Sequence, residues 1–210
     1  MVQPAYIYLH GFASGPRSTK AQYLRDRFWQ RHIDLQILDL NQEDFSHLTL
    51  TRQLQQAAAA FPASTPITLI GSSFGGLTAA WLGQQHQQVQ RLVLLAPAFS
   101  FLEYWLPQLG GRLQQWQETG YLSIYHYGEG RCLPLHYQFV PDIQQYPELQ
   151  LQRPVPTLIL HGRSDEVIPV QASRDYASQR PWVELIELKS DHTLTSTLPT
   201  IWQQIQSFCL

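Results

Sequence analysis

Short apolar runs alternate with longer amphipathic stretches along most of this chain. Ala5–Leu9, "AYIYL", is rich in tyrosine and isoleucine and reads as a strand. Over residues 18–31, Ala21, Leu24 and Phe28 recur at helical spacing on one face. Ile33–Leu40, "IDLQILDL", alternates as a second strand, and residues 48–61 form a helix stopped by Pro62. Ile67–Ile70, "ITLI", is continuously apolar, as a strand must be when helices cover both sheet faces. A helix over 74–86, strands over 91–97 and 155–162, a helix near 170–180, the strand Val183–Leu188 and a helix over 199–208 continue the pattern. Strands alternating with helices predict βαβ units, and so an α/β fold with a mostly parallel sheet flanked by helices.

The rhythm fails over residues 98–152. Tyr104, Trp105, Trp116, Tyr121, Tyr125, Tyr127, Tyr137, Phe139 and Tyr146 fall there, and no strand is evident. The segment reads as a lid-like insertion over the carboxyl edge of the sheet, within one domain spanning residues 1–210. Its rings would line an apolar pocket, or pack as a structural cap that touches no substrate.

A chain of 210 residues can bury a substantial core. Its net charge of −2, with no basic run, argues against nucleic acid or an anionic membrane as partner. The segment "MVQPAYIYLHGF" has neither a basic n-region nor a long apolar stretch, so no signal peptide is expected and the expected location is cytoplasmic. Two cysteines, Cys132 and Cys209, cannot build a disulfide framework and read as reduced thiols.

Parallel α/β sheets bind ligands beyond the carboxyl ends of their strands, so the chemistry belongs in the segments that follow strands. Gly71-Ser72-Ser73-Phe74-Gly75 is a G-x-S-x-G pattern set between a predicted strand and a predicted helix. That context suits a nucleophile elbow, in which a strained turn projects the Ser73 hydroxyl from the sheet edge. A hydroxyl needs a base to take its proton, and the base needs an orienting partner. "LHGRSDEVIP" places Asp165 and Glu166 after a later strand, and "LKSDHTL" places His192 after the last one. The order Ser73, Asp165, His192 is that of α/β-hydrolase triads, with Asp165 preferred over Glu166. Oxyanion donors are expected from the backbone N–H of Phe74 and, in the loop after the first strand, of Phe12. His10 and His161 each precede a glycine at a strand end and read as supports of loop structure. His126, Cys132 and His136 lack the carboxylates of a metal set, and a serine triad needs none, so no metal or cofactor is expected. Arg17 and Lys20 read as solvated surface charges.

"YLHGFASGPRSTKAQYL", "GSSFGGLTAAWL", "LAPAF" and "LHGRSDEVIP" followed by "DHTL" resemble the small YqiA-type esterases of the α/β-hydrolase superfamily. The resemblance runs through nearly the whole chain, and "HGF-S-PRS-KA" is more specific to the family than the elbow. It implies a serine hydrolase acting on carboxyl esters, with Ser73, Asp165 and His192 carried over as the triad. Phe74 stands where many relatives have leucine, but only its backbone is needed. The expected substrate is a small-molecule ester with a small or medium acyl or aryl group. Two other readings stay open: a thioesterase or acyl transferase with the same triad, and a non-catalytic ligand-binding module of the same fold.

Overall fold

A computed structural model describes residues 3–42 and 44–210. Six strands form one sheet: β1 (Ala5–Leu9), β2 (Leu35–Leu38), β3 (Ile67–Ser72), β4 (Val89–Leu95), β7 (Thr157–Gly162) and β8 (Val183–Leu188). Their spatial order is β2-β1-β3-β4-β7-β8, and every neighbouring pair is parallel. The order reverses direction at β1, as in a doubly wound sheet, and the fold is that of the α/β hydrolases.

Each strand lies within a few residues of its apolar run, and the central strands β3 and β7, covered on both faces, carry no charged residue. All six residues of β3 and of β7 are buried. Helix α1 (Thr19–Trp29) buries Ala21, Leu24 and Phe28, the stripe expected from the sequence. With α8 (Leu198–Cys209) it covers one sheet face, where Tyr8, Val93, Leu160 and Ile201 are buried together. Helices α2 (Leu50–Ala59), α3 (Phe74–Gln85) and α7 (Val170–Ser178) pack on the other face with Ile7, Leu69, Leu94 and Ile159. Helix α3 is buried all the way from Phe74 to Gly83, which explains why its sequence is apolar around the whole circumference.

The 98–152 segment differs from expectation in one respect: it contains two strands. After α4 (Phe101–Leu109) and α5 (Arg112–Thr119), β5 (Tyr121–His126) and β6 (Arg131–His136) pair antiparallel, followed by α6 (Phe139–Ile143). Leu122 faces Leu135 and Ile124 faces Leu133 on the inner side. Tyrosines at 121 and 125 occupy the outer side, so both faces carry large apolar residues and the period-two signal is hidden. Pro134 argues against a strand by sequence, yet an isolated two-stranded ribbon is all edge and tolerates it. Trp116, fully buried, donates from Nε1 to the Leu135 carbonyl at 2.9 Å and pins the hairpin to α5. Among the described residues, no helix is long and apolar enough to cross a membrane.

Candidate active site

The carboxyl ends of β1, β3, β7 and β8 lie along one edge of the sheet, and the segments that leave them carry the predicted residues. Ser73 joins β3 to α3 at φ 53°, ψ −118°, a backbone region costing roughly 1–3 kcal/mol for a residue with a side chain. The flanking glycines are required by contact. A Cβ on Gly71 would collide with the Gly75 carbonyl, and one on Gly75 with the carbonyls of Leu9 and His10. The start of α3 therefore presses directly against the end of β1. Ser73 itself is partly exposed between buried neighbours, so the turn presents one hydroxyl at the surface of a closed interior.

His192 leaves β8 in a short loop and reaches that hydroxyl, its Nε2 lying 3.0 Å from Ser73 Oγ. Its Nδ1–H donates to Asp165 Oδ2 at 2.7 Å. With Nδ1 protonated, the Nε2 lone pair faces the serine, the arrangement a general base needs. The Asp165 side chain is fully buried, whereas Glu166 is exposed and takes no part. Asp165 Oδ1 accepts the N–H groups of Val167 at 2.9 Å and Ile168 at 2.8 Å. Its Oδ2 also lies 3.1 Å from His161 Nε2. Burial by itself would raise this carboxyl, but hydrogen bonds from His161 and His192 outweigh it and hold it well below the usual carboxylate range. Asp191, next to His192 in sequence, instead accepts the N–H groups of Thr193 and Leu194.

The loop after β1 passes beside the serine: a Cβ on Gly11 would sit 3.2 Å from Ser73 Cβ and 3.8 Å from its Oγ. The N–H groups of Phe12 and Phe74 have no acceptor among the described residues. That of Phe74 opens helix α3, whose N-terminus favours developing negative charge. The Phe12 ring lies 5.3 Å from both Trp105 and Phe139 and 6.3 Å from Phe74, so the 98–152 segment packs on a ring of the loop after β1.

Two histidines matter more to this geometry than their place in the sequence suggests. His161 and His10 are both fully buried. His161 lies 2.7 Å from Ser173 Oγ through Nδ1 and 2.9 Å from the Ile168 carbonyl through Nε2, besides touching Asp165. A carbonyl and a carboxylate at Nε2 both demand a donor, so the ring carries a proton there. The histidine–glycine pairs at strand ends were the available signal, but spacing gave no partner for either ring. Lys20 also departs from expectation. It is half-buried, and burial pushes its ammonium down to about 8, against the pull of Asp165 and Asp191. His126 is buried and Cys132 exposed on the hairpin, and Cys132 and Cys209 are free thiols.

The family model for UPF0227, described as an uncharacterised protein family, matches residues 5–209. Among solved structures, a protein of Agrobacterium vitis S4 named provisionally as a hydrolase superposes with a TM-score of 0.85 at 24% identity, over 99% of this chain and 88% of that one. Est1E from Butyrivibrio proteoclasticus, solved with ferulic acid bound, gives 0.81 at 20% identity over 98% and 87%. The mouse alpha/beta hydrolase domain-containing protein 10 gives 0.79 at 21% over 97% and 88%. At these identities the likeness is one of fold.

Proposed function

The chain belongs to the UPF0227 family, the YqiA-type branch of the α/β-hydrolase superfamily, and from that premise we propose that it is a serine hydrolase of carboxyl esters. Ser73 Oγ attacks the ester carbonyl while His192 Nε2 takes its proton, and Asp165 stabilises the imidazolium that forms. The tetrahedral oxyanion lies between the N–H groups of Phe12 and Phe74. Collapse expels the alcohol, protonated by His192, and leaves an acyl-enzyme at Ser73. A water activated by His192 then releases the acid and restores the hydroxyl. The observation that carries this reading is the unbroken chain from Asp165 Oδ2 through His192 to Ser73 Oγ, at 2.7 and 3.0 Å.

Small or medium acyl and aryl esters are the proposed substrates, because the chain and its 98–152 segment are short, and the rings of Phe12, Phe74, Phe101, Trp105 and Phe139 in and near that segment pack on one another. The segment 98–152 is the proposed lid, and the proposed location is the cytoplasm. The test is a panel of p-nitrophenyl esters and thioesters of increasing acyl length, with Ser73→Ala as blank. Turnover of short esters that vanishes in the blank supports the proposal, and equal turnover by the blank ends it. Preference for thioesters would move the assignment to a thioesterase.

A further inference from the structure

The peptide that joins Gly11 to Phe12 carries the proposed oxyanion donor on one side and a contact with a buried histidine on the other. His10 has no exposed surface. The Leu40 N–H donates to its Nε2 at 3.0 Å, and Asp39 Oδ1 stands farther from that nitrogen, at 3.7 Å, beyond hydrogen-bond reach. A backbone N–H can only donate, so Nε2 presents a lone pair and the neutral ring holds its proton on Nδ1. Nδ1 lies 3.0 Å from the Gly11 carbonyl oxygen and therefore donates to it. In a trans peptide the C=O and the N–H point in opposite directions, so fixing the Gly11 oxygen also fixes the direction of the Phe12 N–H.

The rest of this loop is held independently. The Ala13 carbonyl accepts the Tyr127 N–H at 2.7 Å, and the Ser14 carbonyl accepts Asn41 Nδ2 at 2.7 Å. Neither bond touches the 11–12 peptide. With its neighbours anchored, that one peptide can still rotate about its flanking bonds, and a glycine on one side makes rotation easy. Turned over, it would aim a carbonyl oxygen where the oxyanion forms. We propose that His10 is a positioning residue of the oxyanion hole, acting through the bond from its Nδ1–H to the Gly11 carbonyl. The inference rests on the serine-hydrolase reading above.

Losing one oxyanion donor costs about 10²–10³ in kcat in a well-studied serine protease, so misaiming the Phe12 N–H should cost about tenfold or more. Substrate binding does not use that donor, so KM should hold. Two variants separate the atoms of the ring. In His10→Asn the amide nitrogen stands near the place of Nδ1 and can donate to Gly11, but nothing reaches Leu40. In His10→Gln the amide oxygen stands near Nε2 and can accept from Leu40, but nothing reaches Gly11. With p-nitrophenyl acetate, His10→Asn is expected to keep kcat within about threefold of wild type, and His10→Gln to lose about tenfold or more at unchanged KM. The reverse order, or wild-type kcat in both, overturns the inference and leaves His10 as a tie to Leu40. A second measurement needs no variant: the ring ¹⁵N shifts of His10 in the wild-type protein at pH 8 should report the Nδ1–H tautomer, and an Nε2–H tautomer overturns the inference. The underlying reading fails differently, through a wild-type protein inert toward the ester or a Ser73→Ala protein that still cleaves it.

Discussion

Replacing Asp165 by Asn should preserve the fold and remove the base, because the backbone decides which way the amide faces. Asp165 Oδ1 accepts two fixed donors, the N–H groups of Val167 at 2.9 Å and Ile168 at 2.8 Å. An NH2 group there would meet both donors, so the amide oxygen must take that place. The NH2 then occupies the Oδ2 position, 2.7 Å from His192 Nδ1 and 3.1 Å from His161 Nε2. His192 can meet it only by presenting a lone pair on Nδ1, which moves its proton to Nε2. That proton faces Ser73 Oγ, and no lone pair remains to accept the hydroxyl proton. The corresponding change in a well-studied serine protease lowers kcat about 10⁴-fold, or about 5.5 kcal/mol of barrier, and the same loss is expected here. His161 Nε2–H also loses a charged acceptor, so the urea midpoint should fall by the equivalent of about 1–3 kcal/mol. The native carboxyl is held below its unfolded value, so it contributes stability above about pH 4 that is lost as pH falls, and the variant should lack that acid-side loss. The assays are kcat/KM for p-nitrophenyl acetate from pH 6 to 9, and urea melts from pH 2 to 8. An Asp165→Asn enzyme within about tenfold of wild type would refute the tautomer argument.

Ser73→Gly relieves a positive φ and should raise stability by about 1 kcal/mol while abolishing turnover; a midpoint at or below wild type would show the turn unstrained. Burial raises the Glu148 carboxyl to about 7, against the Ser100 N–H that it accepts. A raised carboxyl favours folding while protonated, so stability should decline between about pH 4.5 and 7, by at most about 3 kcal/mol, and Glu148→Gln should flatten that slope in urea melts; a slope unchanged by the substitution contradicts this. Trp116→Phe removes the buried indole bond to the Leu135 carbonyl and should cost about 1 kcal/mol in the same melts; an unchanged midpoint would mean that the hairpin is not held there.

Much of the architecture could be read from the chain because its signals are local. The six sheet strands are short apolar runs between helical patterns, and in β3 and β7 burial on both faces keeps those runs free of charged residues. The convergence of Ser73, Asp165 and His192 follows from each lying just beyond a strand of one parallel sheet. What stayed hidden depends on tertiary partners. The β5–β6 hairpin places tyrosines outward and the buried His126 inward, which inverts the usual code. The settings of His10 and His161 depend on Leu40, Ile168 and Ser173, groups brought close only by folding. The half-buried state of Lys20, close enough to Asp165 and Asp191 to feel their charge, likewise arises only on folding.

Intact-mass analysis after exposure to a fluorophosphonate tests the central claim, because only an activated serine reacts. The account predicts one adduct per chain, mapped by peptide sequencing to Ser73 and absent from both Ser73→Ala and, on the same timescale, His192→Ala. No adduct on the wild-type chain, or an adduct that persists without the hydroxyl of residue 73, would contradict it.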